Sequence, residues 1–384
     1  MRSPAFRMTL FFATSVAMLG VFVPFWPAWL EARGMSSVEI GWLVSAWAWS
    51  RGLAVPIWAH FVDQSGKRRA WILALALAAT VAFVPFAFVR GFEALLAVTV
   101  LLGVLHAPVI PLGENMILFE ARRHAFNYAS VRWFGSLAFL IVTVLTGRLL
   151  DGEHAERAFP LTLVFLAATC VAALLLPHTE VQKRQSEHPP FRELLQYRSV
   201  LFVLSGAAIL QAAHATYYAF STLHWKAAGH STTHIGWLWA EGVVAEILLF
   251  AGVGSGRLPL RDKTLLGLAV LGSVVRWSVL ATKTDISWLV ATQWMHALSF
   301  AATHLAAMTY MSRRIPVELS ATAQSVYTSV NIAAHASAVA LVAPLFDRAG
   351  GLAFWPMLPI ALAGGLLAWY GMARNTLGEP AHAT

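Results

Sequence analysis

Long apolar stretches separated by short polar ones run the whole length of the chain. Apolar runs bounded by charged or Gly/Pro breaks predict helices over 8–30, 38–60, 70–89, 93–118, 129–149 and 159–177. A second set follows over 199–222, 234–255, 264–282, 287–310, 321–346 and 352–373. Each run is close to or longer than the roughly 20 apolar residues that carry an α-helix across a bilayer core. The runs are continuous rather than alternating, which excludes a membrane β-barrel. The pattern therefore predicts an all-α polytopic membrane protein with twelve transmembrane helices in two pseudo-symmetric six-helix bundles. The longest polar segment, 178–198, divides six runs from six. Expected boundaries are an N-terminal bundle over 1–177, a cytoplasmic linker over 178–198 and a C-terminal bundle over 199–384. The first run continues to Leu30 without a small-x-small cleavage site, so it reads as a retained helix rather than a signal peptide.

A repeat supports the division. Residues 34–43 read GMSSVEIGWL and residues 229–238 read GHSTTHIGWL. Gly34, Ser36, Ile40, Gly41, Trp42 and Leu43 recur as Gly229, Ser231, Ile235, Gly236, Trp237 and Leu238, an offset of 195. Six spans lie between the copies, so both have the same orientation. Two parallel halves related about the membrane normal are one architecture of rocker-type transporters.

Composition narrows the class further. The chain has 384 residues, of which 58% are hydrophobic and 12% charged, against about 25% charged in soluble proteins. A soluble enzyme of this size is excluded, because too few charges remain to cover a water-facing surface. The net charge of +8 does not indicate nucleic-acid binding, since the basic residues sit in short loops between apolar runs. With the N-terminus inside, 17 Lys and Arg fall in inner segments, 7 in outer ones, and Arg51, Arg132 and Arg276 inside spans. That bias places both termini in the cytoplasm of a bacterial inner-membrane protein. Many of the 16 Trp fall near span ends, as interface anchors do. The single cysteine, Cys170, permits no disulfide or cysteine-ligated metal. His224, His230 and His234 cluster in an outer loop without metal-site spacing. No HExxH or phosphate-binding loop occurs, so no metal, cofactor, ATP-driven or enzymatic chemistry is expected.

The segment AHFVDQSGKRR, 59–69, resembles the loop signature of the major facilitator superfamily, Gly-x-x-x-Asp-Arg-x-Gly-Arg-Lys. Asp63, Gly66, Lys67 and Arg68 match, while Ala59 and Gln64 depart from it. The match implies an Asp–Arg contact and a helix-end charge interaction that latch one conformation; otherwise it is a positive-inside loop. Further segments resemble the phenylpropionate-permease-like branch: VPFWPAWLEARG (23–34), APVIPLGEN (107–115), YASVRWFGSLAF (128–139), LQAAHATYYAFS (210–221), GVVAEILLF (242–250), VVRWSVL (274–280) and MHALSFAATHLAAMTY (295–310). They spread over most of the chain. The lactose-permease-like proton symporters are a more distant likeness.

Ionisable residues at bilayer depth cost roughly 2.5–3.5 kcal/mol each on insertion scales and so mark candidate sites. Glu114 and Arg132 lie 18 residues apart across a short loop, so neighbouring antiparallel spans bring them to similar depth. The resemblance to lactose-permease-like symporters implies that they hold substrate; the alternative is a structural ion pair. Arg276 and His296 match that family's coupling site, and His304 lies about 80° further round an ideal helix than His296. The symporters' proton-carrying glutamate, expected three residues after the histidine, is Ser299 here. Glu246 is favoured as its replacement over Glu241, and Arg51 occupies the repeat-equivalent position of Glu246. Gln211, His214 and Tyr218, at i, i+3 and i+7, share one helical face with Tyr217 beside it. The resemblance makes His214 and Tyr218 substrate contacts, against a reading as hydrogen-bonded packing. Asn115, Trp133 and Phe139 are weaker candidates.

The expected substrate contacts are thus Glu114, Arg132, His214, Tyr218, Arg276 and His296. The expected proton-coupling groups are Glu246, Glu114, His296 and His304. The expected function is proton-coupled import of a small organic acid, an aromatic one of the phenylpropionate kind, by a monomeric secondary transporter in the lipid bilayer. The alternatives are a sugar or nucleoside proton symporter and, third, a drug exporter.

Overall fold

The computed structural model describes residues 3–124, 126–152, 154–177 and 190–374, and among them it is all helix and turn with no strand. Of the expected linker 178–198, residues 178–189 lie outside the described residues. The helices are α1 (Pro4–Ala32), α2 (Ser37–Ser65), α3 (Arg68–Phe83), α4 (Phe92–His106), α5 (Val109–His124), α6 (Tyr128–Leu149), α7 (Ala158–Leu174) and the short α8 (Pro190–Leu194). They continue as α9 (Arg198–Ala212), α10 (Ala215–Ala227), α11 (Thr232–Gly254), α12 (Asp262–Thr282), α13 (Ile286–His296), α14 (Thr303–Ser312), α15 (Val317–Ala349) and α16 (Met357–Arg374).

Nine helical stretches among the described residues are long and apolar enough to cross a membrane. The other three expected spans coincide with α2, with α13 and α14 together, and with α16. Exposed Leu341, Leu366, Val171 and Phe88 show that much of the apolar surface faces outward, as lipid contact requires. The protein is a multi-pass membrane protein.

Local sequence explains where helices start and bend. Ser36 caps α2 and Glu39 reaches back to the Ser36 N–H, a complete capping box. In the repeat copy, Ser231 accepts from the His234 N–H at 3.2 Å. The repeated glycines Gly34 and Gly229 both have positive φ, 84° and 90°, which only glycine adopts without strain. Three expected spans are interrupted near mid-length. Pro108, which lacks an N–H, separates α4 from α5. A break at 213–214 separates α9 from α10, and a π-helical segment, Ala297–Ala302, joins α13 to α14. Broken helices at membrane depth mark functional positions in transporters, and π segments do so more generally.

The chain divides into two compact units. One comprises 1–185 with 222–240, the other 186–221 with 241–384. In the first, α1 packs on α5, α6 and α7, α2 on α4, and α3 on α4 and α7. Met8, Phe11, Val62, Ile72, Val109 and Met116 form its buried core. In the second, α9 packs on α14, α15 and α16, and α12 on α13, α14 and α16. Helices α9 and α16 meet at Gly206 and Gly364, where a Cβ on either would come within 2.6 Å of the other's carbonyl oxygen. Small residues at such crossings let membrane helices approach backbone to backbone.

Candidate functional site

The densest polar cluster is built on α9–α14 in the second unit, and Arg276 of α12 is at its centre. The Arg276 side chain is fully buried at 0% exposure. Its Nη1 donates to His296 Nδ1 at 2.8 Å and to Ser299 Oγ at 3.2 Å. Its Nη2 donates to Gln293 Oε1 at 3.1 Å, which also accepts from the Tyr217 hydroxyl at 2.9 Å. The guanidinium lies over the Tyr217 ring at 4.3 Å and the Trp277 ring at 4.9 Å. Cation–π contact of this kind partly replaces the lost hydration of a buried cation. No carboxylate among the described residues pairs with Arg276, and its Nε is buried without a hydrogen-bond partner.

Arg276 sets the state of His296. A guanidinium has only donors, so His296 Nδ1 accepts and the ring proton belongs on Nε2. Nε2 faces Glu246 Oε2 at 3.8 Å. Gly242 lies one turn before Glu246 on α11, and a Cβ there would stand 3.5 Å from the His296 ring, so α11 passes close by this histidine. A proton added to His296 would set a donor against the Arg276 donor. A proton added to Glu246 disturbs no hydrogen bond of Arg276.

His214 sits at the break between α9 and α10. Its Nδ1 faces the Gln211 carbonyl at 2.9 Å and its Nε2 faces Ser299 Oγ at 3.1 Å, so Ser299 bridges His214 to Arg276. Trp277 and Phe300 rings flank it at 4.9 and 5.6 Å. Tyr218 lies 6.0 Å from His214 and 5.8 Å from His335 between ring centroids. The structure thus brings together His214, Tyr218, Arg276, His296 and Glu246. His304 lies apart, against Phe250 at 6.2 Å and Tyr327 at 6.1 Å. The π segment between His296 and His304 breaks the 100° per residue on which their shared face was expected. Glu241 lies against Trp294 rather than His296.

Sequence reasoning passed over Gln293, Trp277 and His335. Gln293 stands three residues before His296 on α13, the spacing that places two side chains on one helical face. Ser299 enters the sequence reading only as a missing glutamate, whereas here its hydroxyl joins His214 to Arg276.

The first unit holds a second charged group. Arg132 of α6 forms an ion pair with Glu114 of α5, and their side chains are 57% and 28% exposed. Nearby, Arg68 Nη1 donates to Asn115 Oδ1 at 2.6 Å and Arg68 Nη2 to Asp63 Oδ1 at 3.0 Å. Gly66 closes α2 in the left-handed region at φ 67°, and Lys67 stands just before α3 begins at Arg68. The Trp71 indole donates to Ser65 Oγ at 2.7 Å and ties the loop down. Buried Glu120, one turn after Met116, pairs with His124 at 3.2 Å and was not anticipated.

A model of the MFS_1 like family matches residues 5–345. The chain is 31% identical over 349 residues to the "Probable 3-phenylpropionic acid transporter" of Escherichia coli (strain K12), covering 89% of this chain and 91% of that one. It is 26% identical to the "Maltose permease" of Geobacillus stearothermophilus over 85% of this chain and 82% of that one. Among solved structures, the nucleoside transporter NupG is similar with a TM-score of 0.80 and 13% identity, covering 98% of this chain and 100% of that one. A POT family peptide transporter is similar with a TM-score of 0.75 and 10% identity over 97% of each chain.

Proposed function

The chain belongs to the MFS_1 like family of membrane transporters, and from that premise we propose that it imports a small organic acid together with a proton. The acid is an aromatic monocarboxylate of the 3-phenylpropionate kind. One observation carries this reading: Arg276 is a fully buried cation that no carboxylate of the described chain neutralises. A buried charge is tolerated when it is paired, and an incoming carboxylate is the missing partner. Tyr217, Tyr218, Trp277 and Phe300 supply an aromatic wall beside it. The 31% identity to a relative described as a 3-phenylpropionic acid transporter supports the same substrate class.

Proton coupling follows from the energetics. An anion entering a cell negative inside works against about 2.3 kcal/mol per charge per 100 mV. One accompanying proton makes the cycle electroneutral and lets the pH gradient drive it. Glu246 is the proton carrier, because it faces the Nε2–H of His296 while the other face of that ring is committed to Arg276. Glu246 protonates as the acid docks, so the loaded site carries no more net charge than the empty one and both reorient, whereas the anion bound without its proton leaves a net negative site that resists. Glu114 and Arg132 contribute the substrate contacts of the first unit. Asp63, Gly66, Lys67 and Arg68 latch one conformation. The architecture proposed is twelve crossings in two halves, 1–177 and 199–384, joined by 178–198, acting as a monomer in a bacterial inner membrane with both termini cytoplasmic.

The test is uptake of labelled 3-phenylpropionate into proteoliposomes under an imposed inward proton gradient. Saturable uptake that unlabelled acid competes and a protonophore abolishes is expected; its absence sinks the substrate. The second reading, a sugar or nucleoside proton symporter, is favoured by the partly exposed Glu114 carboxylate, which accepts from hydroxyls and repels an acid. Competition by maltose or uridine but not by aryl acids selects it.

A further inference from the structure

Helices α2 and α4 of the first unit cross where Ser50 meets Gly103, and a Cβ on Gly103 would overlap the Ser50 hydroxyl. Thr99, Gly103 and His106 lie at i, i+4 and i+7 and so share the face of α4 at this crossing. Trp47, Ser50 and Arg51 present the facing side of α2. Four buried polar atoms at this crossing have no hydrogen-bond partner among the described residues: Trp47 Nε1, Arg51 Nε, Thr99 Oγ1 and His106 Nδ1. His106 and Thr99 are each only 3% exposed. The Arg51 guanidinium stacks over the Trp47 ring at 4.3 Å and acts electrostatically on His106. No carboxylate pairs with Arg51 among the described residues. The residue as a whole is half-buried, so its fork is not sealed inside the packing.

Buried polar groups are almost always hydrogen-bonded, so four unpaired ones at one helix crossing call for an explanation. The chemistry of the set is one-sided. The indole and the guanidinium only donate, and the hydroxyl and the imidazole are each able to donate. What the cluster lacks is an acceptor carrying negative charge. It also adjoins the Pro108 break at the end of α4, where helix interruption frees backbone groups beside a ligand. In the second unit the repeat-equivalent residue of Arg51 is Glu246, an acid that faces a histidine from its own unit. The first unit therefore has the histidine and a cation, but not the acid.

We propose that Trp47, Arg51 and His106 form a carboxylate-binding site in the first unit, separate from the Arg276 cluster. The Arg51 fork and the indole N–H take the two carboxylate oxygens, and His106 stands beside Arg51 as a further donor. The site is defined by its donors, so it stands whichever substrate the Arg276 cluster carries.

The probes are sodium acetate, which is a carboxylate without a ring, and 3-phenylpropionate. Binding is titrated calorimetrically and by indole fluorescence on the purified full-length protein carrying Arg276→Gln, which removes the other cation. Acetate binding is expected to persist there and to weaken by about tenfold to a hundredfold when Arg51→Gln is added. The fluorescence change is expected to vanish with Trp47→Phe. Tighter binding of 3-phenylpropionate than of acetate assigns the site to the transported acid; equal binding assigns it to any small carboxylate. If Arg51→Gln is not monodisperse, His106→Asn replaces it and lowers affinity several-fold. Loss of all acetate binding with Arg276→Gln alone overturns the proposal. So does unchanged affinity in the Arg51 and His106 variants, or equal competition by chloride. Failure of wild-type phenylpropionate uptake bears on the substrate of the transporter and leaves these acetate measurements intact.

Discussion

The two units hold their membrane charges in opposite ways. In the second, Arg276 is dry, has no compensating acid among the described residues, and is held by His296, Gln293 and Ser299 through neutral acceptors. In the first, Arg132 is more than half exposed and directly paired with Glu114, so the group is wet and neutral. Low dielectric magnifies every interaction of a dry charge, whereas water screens a wet pair to about 0–1 kcal/mol. The Arg276 cluster thus holds a dry cation with no acid beside it among the described residues, whereas the Arg132–Glu114 group neutralises itself where water reaches it.

The strongest way to break this contrast is Arg276→Gln. It removes the cation of the dry cluster and leaves His296 Nδ1 a buried acceptor without its donor, while Gln293 Oε1 keeps only the Tyr217 hydroxyl. Uptake is expected to fall at least about a hundredfold, the scale of a lost charged hydrogen-bond pair. Arg276→Lys is expected not to rescue it, because an ammonium on a flexible stem does not span His296, Ser299 and Gln293 together. Retention of uptake in the lysine variant would show that charge alone matters and that the three-point geometry does not.

Glu246→Gln comes next. Binding at Arg276 survives, so counterflow of substrate between equilibrated compartments is expected to continue. Accumulation against a gradient is expected to disappear; under a one-unit pH gradient that is a loss of up to about tenfold in the steady-state ratio. Full uphill uptake by this variant removes Glu246 as proton carrier and moves that role to His296 or Glu114.

Most of the architecture was legible beforehand because the bilayer leaves so few choices. The apolar runs located every long helix, the 195-residue repeat located the shared turn at Gly34 and Gly229, and the buried charges located Arg276 and His296. What was not legible depended on helix irregularity. The angle between His296 and His304 assumed an ideal helix, and the π segment between them carries no pattern in its residues, ALSFAA. Gln293 and Ser299 are uncharged, so neither stands out until the geometry sets both against Arg276. Ser299 misled in a specific way, since the resemblance framed it as a lost acid rather than as a bridge.

Within the wet pair, Arg132→Ala and Glu114→Gln test whether exposure lowers the stakes. Each is expected to raise the KM for transport by about tenfold and to change the thermal midpoint little, because an exposed pair contributes at most about 1 kcal/mol. Exchanging the two residues, Glu114→Arg with Arg132→Glu, is expected to restore part of the affinity if the pair serves chiefly as a pair. A collapse of stability in either single variant would show that the group is structural and as demanding as the dry cluster.

The smallest effect is expected at Gly66, in the loop that adjoins the wet pair through Arg68 and Asn115. Gly66 ends α2 at φ 67°, where a Cβ crowds the backbone, so Gly66→Ala is expected to cost about 1 kcal/mol. The strain is local to the turn, but the turn holds Asp63 at 3.0 Å from Arg68, and Arg68 holds Asn115 beside Glu114. Two readouts separate these roles. A lowered thermal midpoint with unchanged KM makes Gly66 a helix terminator only. A raised KM that Asp63→Asn reproduces without the loss of stability makes the loop a positioning element for Glu114, and the first unit's charge group then extends from α2 to α6 as one connected chain of contacts.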